Sequence, residues 1–315
     1  MAHDDLVQRL TEVLDVEDVR GLVRLSGGAS RETWAFETIG EDARVEELIL
    51  QRQRAGSDRD MELEARVLRA AFRNGVPVPE VVASSADPSV LGAPFMIVRR
   101  VRGETIARKI IRDDAFIAAR PLFAAQCGDA IARLHAISPD SVAGLESTDQ
   151  VTFYRAALDE FGEPHPAFEL GFRWLEANRP APTRSAIVHG DFRLGNVIVG
   201  PDGLRAVIDW ELVHLGDPME DLGWLCVKAW RFGAPRPVGG MGSYEDLFEA
   251  YGATAGMAVD PSVVRWWEAL GTLKWGIMCM MQANVHFSGA SRSHELAAIG
   301  RRVCENEHDL LLLLP

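Results

Sequence analysis

Residues 186–211 constrain the fold more than any other stretch, because turn chemistry there ties short apolar runs to a set of oxygen-bearing side chains. The run Ala186-Ile187-Val188 reads as a β-strand that leads into His189-Gly190-Asp191-Phe192-Arg193-Leu194-Gly195-Asn196. Next, Val197-Ile198-Val199 and Leu204-Arg205-Ala206-Val207-Ile208 flank Gly200-Pro201-Asp202-Gly203, which has the composition of a hairpin turn. A hairpin of that length returns Asp209 to the end from which Asn196 departs, and Asp191 lies five residues before Asn196. Three side chains then converge: two suit a hard cation and one is left to act as a base. Phosphoryl transfer needs such a set, since its catalysis is mostly positioning and charge neutralisation.

The order His189-Gly190-Asp191, Asn196, and Asp209 closing the next hairpin resembles the aminoglycoside phosphotransferase-like, kinase-like superfamily. The text Val207-Ile208-Asp209-Trp210-Glu211 through Gly216-Asp217-Pro218-Met219-Glu220-Asp221-Leu222 is most similar to one branch of it. That branch includes sequence-assigned bacterial phosphotransferases and the kinase-like domains of some acyl-CoA dehydrogenase family members. The resemblance implies an α+β, two-lobed protein-kinase-like fold. Residues 1–100 would form a nucleotide-binding lobe with an antiparallel sheet, and residues 101–315 a mostly helical lobe for catalysis and the acceptor. It also implies ATP and Mg²⁺ as cofactors and a hydroxyl of a small molecule as acceptor. Asp191 takes the role of base, Asn196 and Asp209 those of metal ligands, and His189 orders the loop. Arg193 stands where it can aim charge at the γ-phosphate or the acceptor, or form a surface ion pair.

Earlier segments fit in order. Leu6, Leu10 and Leu14 recur every four residues and predict a helix over residues 4–14. An apolar strand, the turn Ser26-Gly27-Gly28-Ala29-Ser30 and a returning strand form a candidate flap, with Gly27 and Gly28 permitting close phosphate approach and Ser30 donating to a phosphate oxygen. Glu47-Leu48-Ile49-Leu50-Gln51-Arg52 is the strand on which kinase-type enzymes carry a phosphate-binding lysine. This chain has three lysines, Lys109, Lys228 and Lys274, all later. Gln51 falls on the expected basic position and Arg52 one beyond, and a one-residue step changes the face of a strand. Arg52 reached through a bulge is the favoured anchor; Gln51 or a group from elsewhere are the alternatives. A helix over residues 60–73 places Glu64 beside its buried face as the candidate partner of that anchor. Phe95 to Gly103 reads as the hinge strand, where backbone groups at Arg99 and Val101 would meet the adenine edge.

Residues 104–182 are helical by pattern, with Phe123, Cys127, Ile131 and Leu134 on one buried helix ending near a structural His135. Asp217 before Pro218 fits a helix cap, and Asp217 or Asp221 is placed to brace the catalytic loop. Six of the eight tryptophans lie between residues 210 and 275, as lobe core or as the wall of an apolar acceptor pocket. Leu310 to Leu314 reads as the stripe of a docking helix or a dimer contact, so a monomer or a homodimer is expected.

Composition narrows the classes. A net charge of −13 without a dense basic cluster disfavours nucleic acid. No apolar run approaches a membrane span, so no membrane partner and a cytoplasmic location are expected, with the four separated cysteines as free thiols. Two rival functions stand: a degenerate kinase that binds nucleotide without turnover, supported by the missing lysine, and an aminoglycoside or macrolide antibiotic kinase. Protein kinase activity is disfavoured, since Gly190 stands where those enzymes have arginine and no Ala-Pro-Glu text follows Asp209.

Overall fold

The computed structural model describes residues 3–25, 31–54, 60–181 and 183–314. It opens with helix α1 (His3–Leu14), strands β1 (Asp18–Leu25), β2 (Arg31–Ile39) and β3 (Val45–Gln53), and helix α2 (Met61–Arg73). Strand β4 (Val81–Ser85), the single turn α3 (Pro88–Leu91) and strand β5 (Phe95–Arg99) complete this part. The five strands form one antiparallel sheet in the order β1-β2-β3-β5-β4.

Strand alternation decides what each face of this sheet carries. Leu48 and Leu50 on β3 are fully buried with Phe36, Phe95 and Ile97 beneath Leu6 and Leu10 of α1. The opposite face carries Ile49, Met96 and Val98 into the larger core under α2. A one-residue slip would take both leucines out of the core under α1, where each is worth about 1.5–3 kcal/mol when buried, and turn Arg52 into the core under α2. The register is therefore fixed, and it turns Gln51 inward toward α2 and Arg52 outward with Leu50. Helix α2 starts where Asp60 accepts from the Glu62 and Leu63 N–H groups at 3.0 and 2.9 Å, and it stops at Asn74.

The second part is mainly helical: α4 (Ala107–Arg112), α5 (Phe123–His135), α6 (Gln150–Phe161) and α7 (Pro166–Ala177). Four short strands follow, β6 (Ala186–Val188), β7 (Val197–Gly200), β8 (Gly203–Val207) and β9 (His214–Gly216). The chain ends with α8 (Met219–Cys226), α9 (Tyr244–Ala255), α10 (Pro261–Phe287), α11 (His294–Ile299) and α12 (Val303–Leu313). Strands β7 and β8 pair as the expected hairpin, turning at Pro201-Asp202. The hairpin is fixed on two sides: Val207 N–H donates to the Pro77 carbonyl at 2.7 Å, and Glu104 and Val199 exchange backbone bonds of 2.9 and 3.0 Å. Those bonds set the candidate catalytic residues against the sheet.

Leu310 on α12 is buried against α7 and α10, so the terminal apolar stripe docks within the chain, although Leu311 and Leu312 stay exposed. Cys127, Cys226 and Cys279 are buried free thiols, whereas Cys304 is exposed. No described helix is long and apolar enough to cross a membrane.

Candidate active site

Strand β6 delivers the loop after Val188, and its backbone is held from behind. Asp221 on α8 accepts the His189 and Gly190 N–H groups at 2.8 and 2.9 Å and meets His135 Nε2 at 3.1 Å. His135 in turn meets the Tyr251 hydroxyl at 3.1 Å. Burial opposes ionisation of Asp221, but the facing imidazoles and N–H donors outweigh it and hold the carboxyl below its ordinary range. Asp221, not Asp217, braces the loop; Asp217 accepts from Met219 N–H at 2.8 Å and from Thr183. Gly190 is required at its position. Its φ is +76°, and a Cβ there would run into the Leu212 carbonyl.

His189 lies under the loop. Its Nδ1 accepts the Asp191 N–H at 3.2 Å, so the tautomer assigned from these bonds has Nε2–H donating to the Ile208 carbonyl at 3.2 Å. Burial pushes its pKa down and keeps the ring neutral. It ties the loop to the hairpin.

Asp191 is buried and fully directed. Arg193 Nε and Trp224 Nε1 donate to its Oδ1 at 3.0 and 2.8 Å, and Asn196 Nδ2 donates to its Oδ2 at 2.5 Å. With its amide nitrogen committed to Asp191, Asn196 has Oδ1 as its remaining polar atom. The Ile208 N–H donates to the Asn196 carbonyl at 2.9 Å, so the hairpin returns Asp209 beside Asn196. Asp209 has a left-handed backbone, φ +68°, the kind of local strain that gathers at functional sites. Burial and then the neighbouring Glu211 charge raise its pKa, with Arg31 opposing.

Arg31 was absent from the sequence reading. It projects from the first residue of β2, is 8% exposed, and reaches Gln51 Oε1 and Glu64 Oε2 through Nη1, both at 3.1 Å. Its Nη2 reaches Asp209 Oδ1 at 2.7 Å and Glu211 Oε2 at 3.3 Å. Burial alone would lower its pKa, but the three carboxylates raise it further. Arg52, the anchor favoured from sequence, is on the outer face, where it donates to Glu32 at 2.7 Å and to the Leu91 carbonyl at 2.9 Å. The strand alternation that buries Leu48 and Leu50 is the physical reason. Glu64 is where the helix reading put it, buried and facing the site, but its cation comes from β2.

Gly27, Gly28 and Ser30 lie outside the described residues. At the end of β5 the Arg99 and Arg100 N–H groups donate to the Glu80 and Glu47 carbonyls, both at 2.9 Å, while the Arg99 side chain pairs with Glu46 and Glu80. Among the described residues the Val101 N–H has no backbone acceptor.

Among the described residues, the carboxylates of Asp191, Asp209, Glu211 and Glu64 surround the guanidinium groups of Arg31 and Arg193, an acidic setting that suits a divalent cation. No group of three or more His, Cys, Asp or Glu side chains is preassembled as a cation cage among the described residues. Mg²⁺ asks for no cage: it binds through one or two protein oxygens, substrate phosphates and water. Trp224, Trp230 and Trp275 form a buried core cluster beside Asp191, with rings tilted at 56° and 55° and centroids 5.2 and 4.7 Å apart, so these three tryptophans belong to the lobe core; the Arg193 guanidinium lies 4.5 Å from the Trp230 ring. Lys274 is buried behind the loop, 3.3 Å from the Gly190 carbonyl and 3.4 Å from Glu220.

An α+β fold with this sheet, hinge-like strand and braced Asp loop is kinase-like. A model of the phosphotransferase enzyme family (APH) matches residues 21–267, and the chain belongs to that family. A solved protein from Ralstonia eutropha JMP134, provisionally described as an aminoglycoside phosphotransferase, superposes with a TM-score of 0.74 at 19% identity, covering 98% of this chain and 97% of that one. Spectinomycin phosphotransferase, solved with ADP and spectinomycin, gives 0.70 at 12% identity, with 99% and 98% covered. By sequence, mouse acyl-CoA dehydrogenase family member 10 is 30% identical over 209 residues, 58% of this chain and 18% of the mouse protein. The chain thus matches less than a fifth of that relative.

Proposed function

We propose that the protein is an ATP- and Mg²⁺-dependent phosphotransferase acting on a hydroxyl of a small molecule. The observation that carries this is the arrangement at Asp191: a carboxylate fixed by three side-chain donors, with Asn196 and Asp209 returned to its side by one hairpin. Asn196 Oδ1 and the Asp209 carboxylate are the residues that would hold Mg²⁺, which when bound neutralises phosphate charge. Asp191 accepts the proton of the acceptor hydroxyl as its oxygen attacks. Arg193, held against Trp230, points positive charge at the same place, so it orients Asp191 and stabilises charge building on the transferred group. The segment at Arg99 and Val101 meets the adenine edge through backbone groups, and Gly27, Gly28 and Ser30 cover the phosphates. In this reading residues 1–100 bind nucleotide and residues 101–315 carry catalysis and acceptor.

The test is transfer of labelled γ-phosphate from ATP into a small-molecule metabolite extract, with Asp191→Asn alongside. A labelled compound made by the wild type alone supports the reading and supplies the acceptor. Equal labelling by both proteins removes Asp191 as the base. Gln51 in the lysine position favours a second reading, nucleotide binding without turnover; Mg·ATP binding with no labelled product in any extract would support it.

A further inference from the structure

We propose that Arg31 is the phosphate anchor of this protein, supplied by β2 in place of a lysine on β3, and that without nucleotide it stands in for the metal on Asp209 and Glu211. The inference rests on the kinase reading above and identifies the residue that makes the site work without a strand lysine.

The first half follows from faces and charges. The inward positions of β3 are Glu47, Ile49, Gln51 and Gln53, none of them basic. A buried Glu64 on α2 still requires a cation, because an uncompensated carboxylate in that environment is costly. Arg31 faces Gln53 across the β2–β3 ladder, and Thr33, two residues on, faces Gln51. Arg31 therefore shares the inner face with Gln51 and lies over it. An arginine is needed for this reach, since it starts farther along the sheet than the β3 position and is longer than lysine. Its partner on α2 is the one a β3 lysine would have.

The second half follows from how the guanidinium is divided. Nη1 holds Gln51 and Glu64, both fixed within the sheet-and-helix part. Nη2 holds Asp209 and Glu211, both beyond the hairpin. A planar fork can keep one end fixed while the other exchanges partners, which a lysine point charge cannot do. Once a cation takes Asp209, the Nη2 donors are released toward phosphate oxygens while Nη1 keeps the group in place. Nucleotide and metal are thus coupled through one side chain, and metal alone must compete with Arg31 for Asp209.

This predicts opposite shifts from one substitution. In Arg31→Met, affinity for Mg·ATP measured by calorimetry should fall roughly 10- to 100-fold, the scale of losing charge-assisted hydrogen bonds to phosphate. Affinity for Mn²⁺ alone, read by its free-ion paramagnetic signal, should rise several-fold, because Asp209 and Glu211 no longer hold the Arg31 guanidinium that the ion must displace. Damaged folding would weaken both and so overturn the proposal for that variant; Arg31→Met with Glu64→Gln repeats the measurement with the buried Glu64 charge removed as well. Adding Gln51→Lys to Arg31→Met should recover nucleotide affinity by restoring a cation on β3. Mg·ATP binding unchanged in Arg31→Met, or no recovery with Gln51→Lys, overturns the anchor. Unchanged or weaker Mn²⁺ binding overturns the stand-in role. If the wild type itself binds no Mg·ATP, the kinase reading fails and the anchor with it, while the Mn²⁺ titration still decides the second half.

Discussion

Asp221→Asn is the sharpest available test of how the catalytic loop is held, because it needs no knowledge of the acceptor. Asp221 is fully buried and its two oxygens serve three donors: His189 N–H and His135 on Oδ2, Gly190 N–H on Oδ1. An asparagine keeps one acceptor oxygen and places an amide NH₂ against at least one N–H that has nowhere else to donate. Losing hydrogen bonds to a charged group costs about 1.5–3 kcal/mol each, and removing one partner of a buried pair costs about 3–5 kcal/mol. We take about 3–5 kcal/mol. A large single chain loses about 2 °C of Tm per kcal/mol, so the melting point should fall by about 6–10 °C in calorimetry or dye-monitored melting. Asp217→Asn is the control. Asp217 accepts from Met219 N–H at a helix start, where asparagine caps as well as aspartate, so a change within about 2 °C is expected. If Asp221→Asn melts within about 2 °C of wild type, the brace is not what holds the loop, and the reasoning from donors and burial is wrong.

Other expectations are more local. Trp224→Phe removes the indole donor to Asp191 while keeping a ring in the core cluster; transfer should slow by roughly 10- to 100-fold with the Kd for Mg·ATP nearly unchanged, and a weakened Kd alone would contradict the assigned role. Asp209→Asn should reduce the thermal stabilisation given by Mg·ATP, and an undiminished shift would take Asp209 out of the metal site. Arg52→Ala should leave Mg·ATP affinity within about twofold, because its guanidinium is on the outer face with Glu32; a large loss would reverse that assignment. Two histidines should shape stability against pH. Burial pulls His214 down, but the hydrogen bond and charge of Glu220 raise it above the ordinary 6.5, so its contribution is complete below 6.5 and lost as pH rises through the raised value. His189, pushed below 6.5 by burial, costs stability as pH falls beneath 6.5, where the unfolded chain takes up a proton that the folded one refuses. Denaturant melts should therefore be most stable near 6.5, and His214→Gln should flatten the alkaline side only.

The parts legible in the sequence are those fixed by short-range geometry. The spacing from Asp191 to Asn196, and the hairpin that returns Asp209, depend only on turn chemistry and strand length, and all three residues meet in the structure. The helices over residues 4–14, 60–73 and 123–135 were readable from apolar spacing for the same reason. Arg31 was not readable, because its position depends on the pairing of β2 with β3, a contact between segments. A signal existed all the same. Leu48 and Leu50 share a face with Arg52, so their alternation turns Arg52 outward and leaves the inward cation to the neighbouring strand. Trp224 was seen only as one tryptophan among six, since nothing local shows that α8 packs its indole N–H onto Asp191. Leu310 gave an apolar stripe but not its partner, which is α7 and α10 of the same chain.

The left-handed backbone at Asp209 changes how substitutions there should rank. A residue at φ +68° is chosen for conformation as well as for its carboxylate, and asparagine and glycine are the types that share this freedom. Chemical similarity alone would rate glutamate as the mildest exchange. Here it should harm folding more than asparagine does, and glycine, which lacks any ligand, should give the best-folded inactive protein. A library at this one position, sorted separately for abundance and for transfer, would then produce two different orders. Variants would stay abundant in the order set by the turn and stay active only with the native oxygen, and that separation would mark Asp209 as a position selected twice.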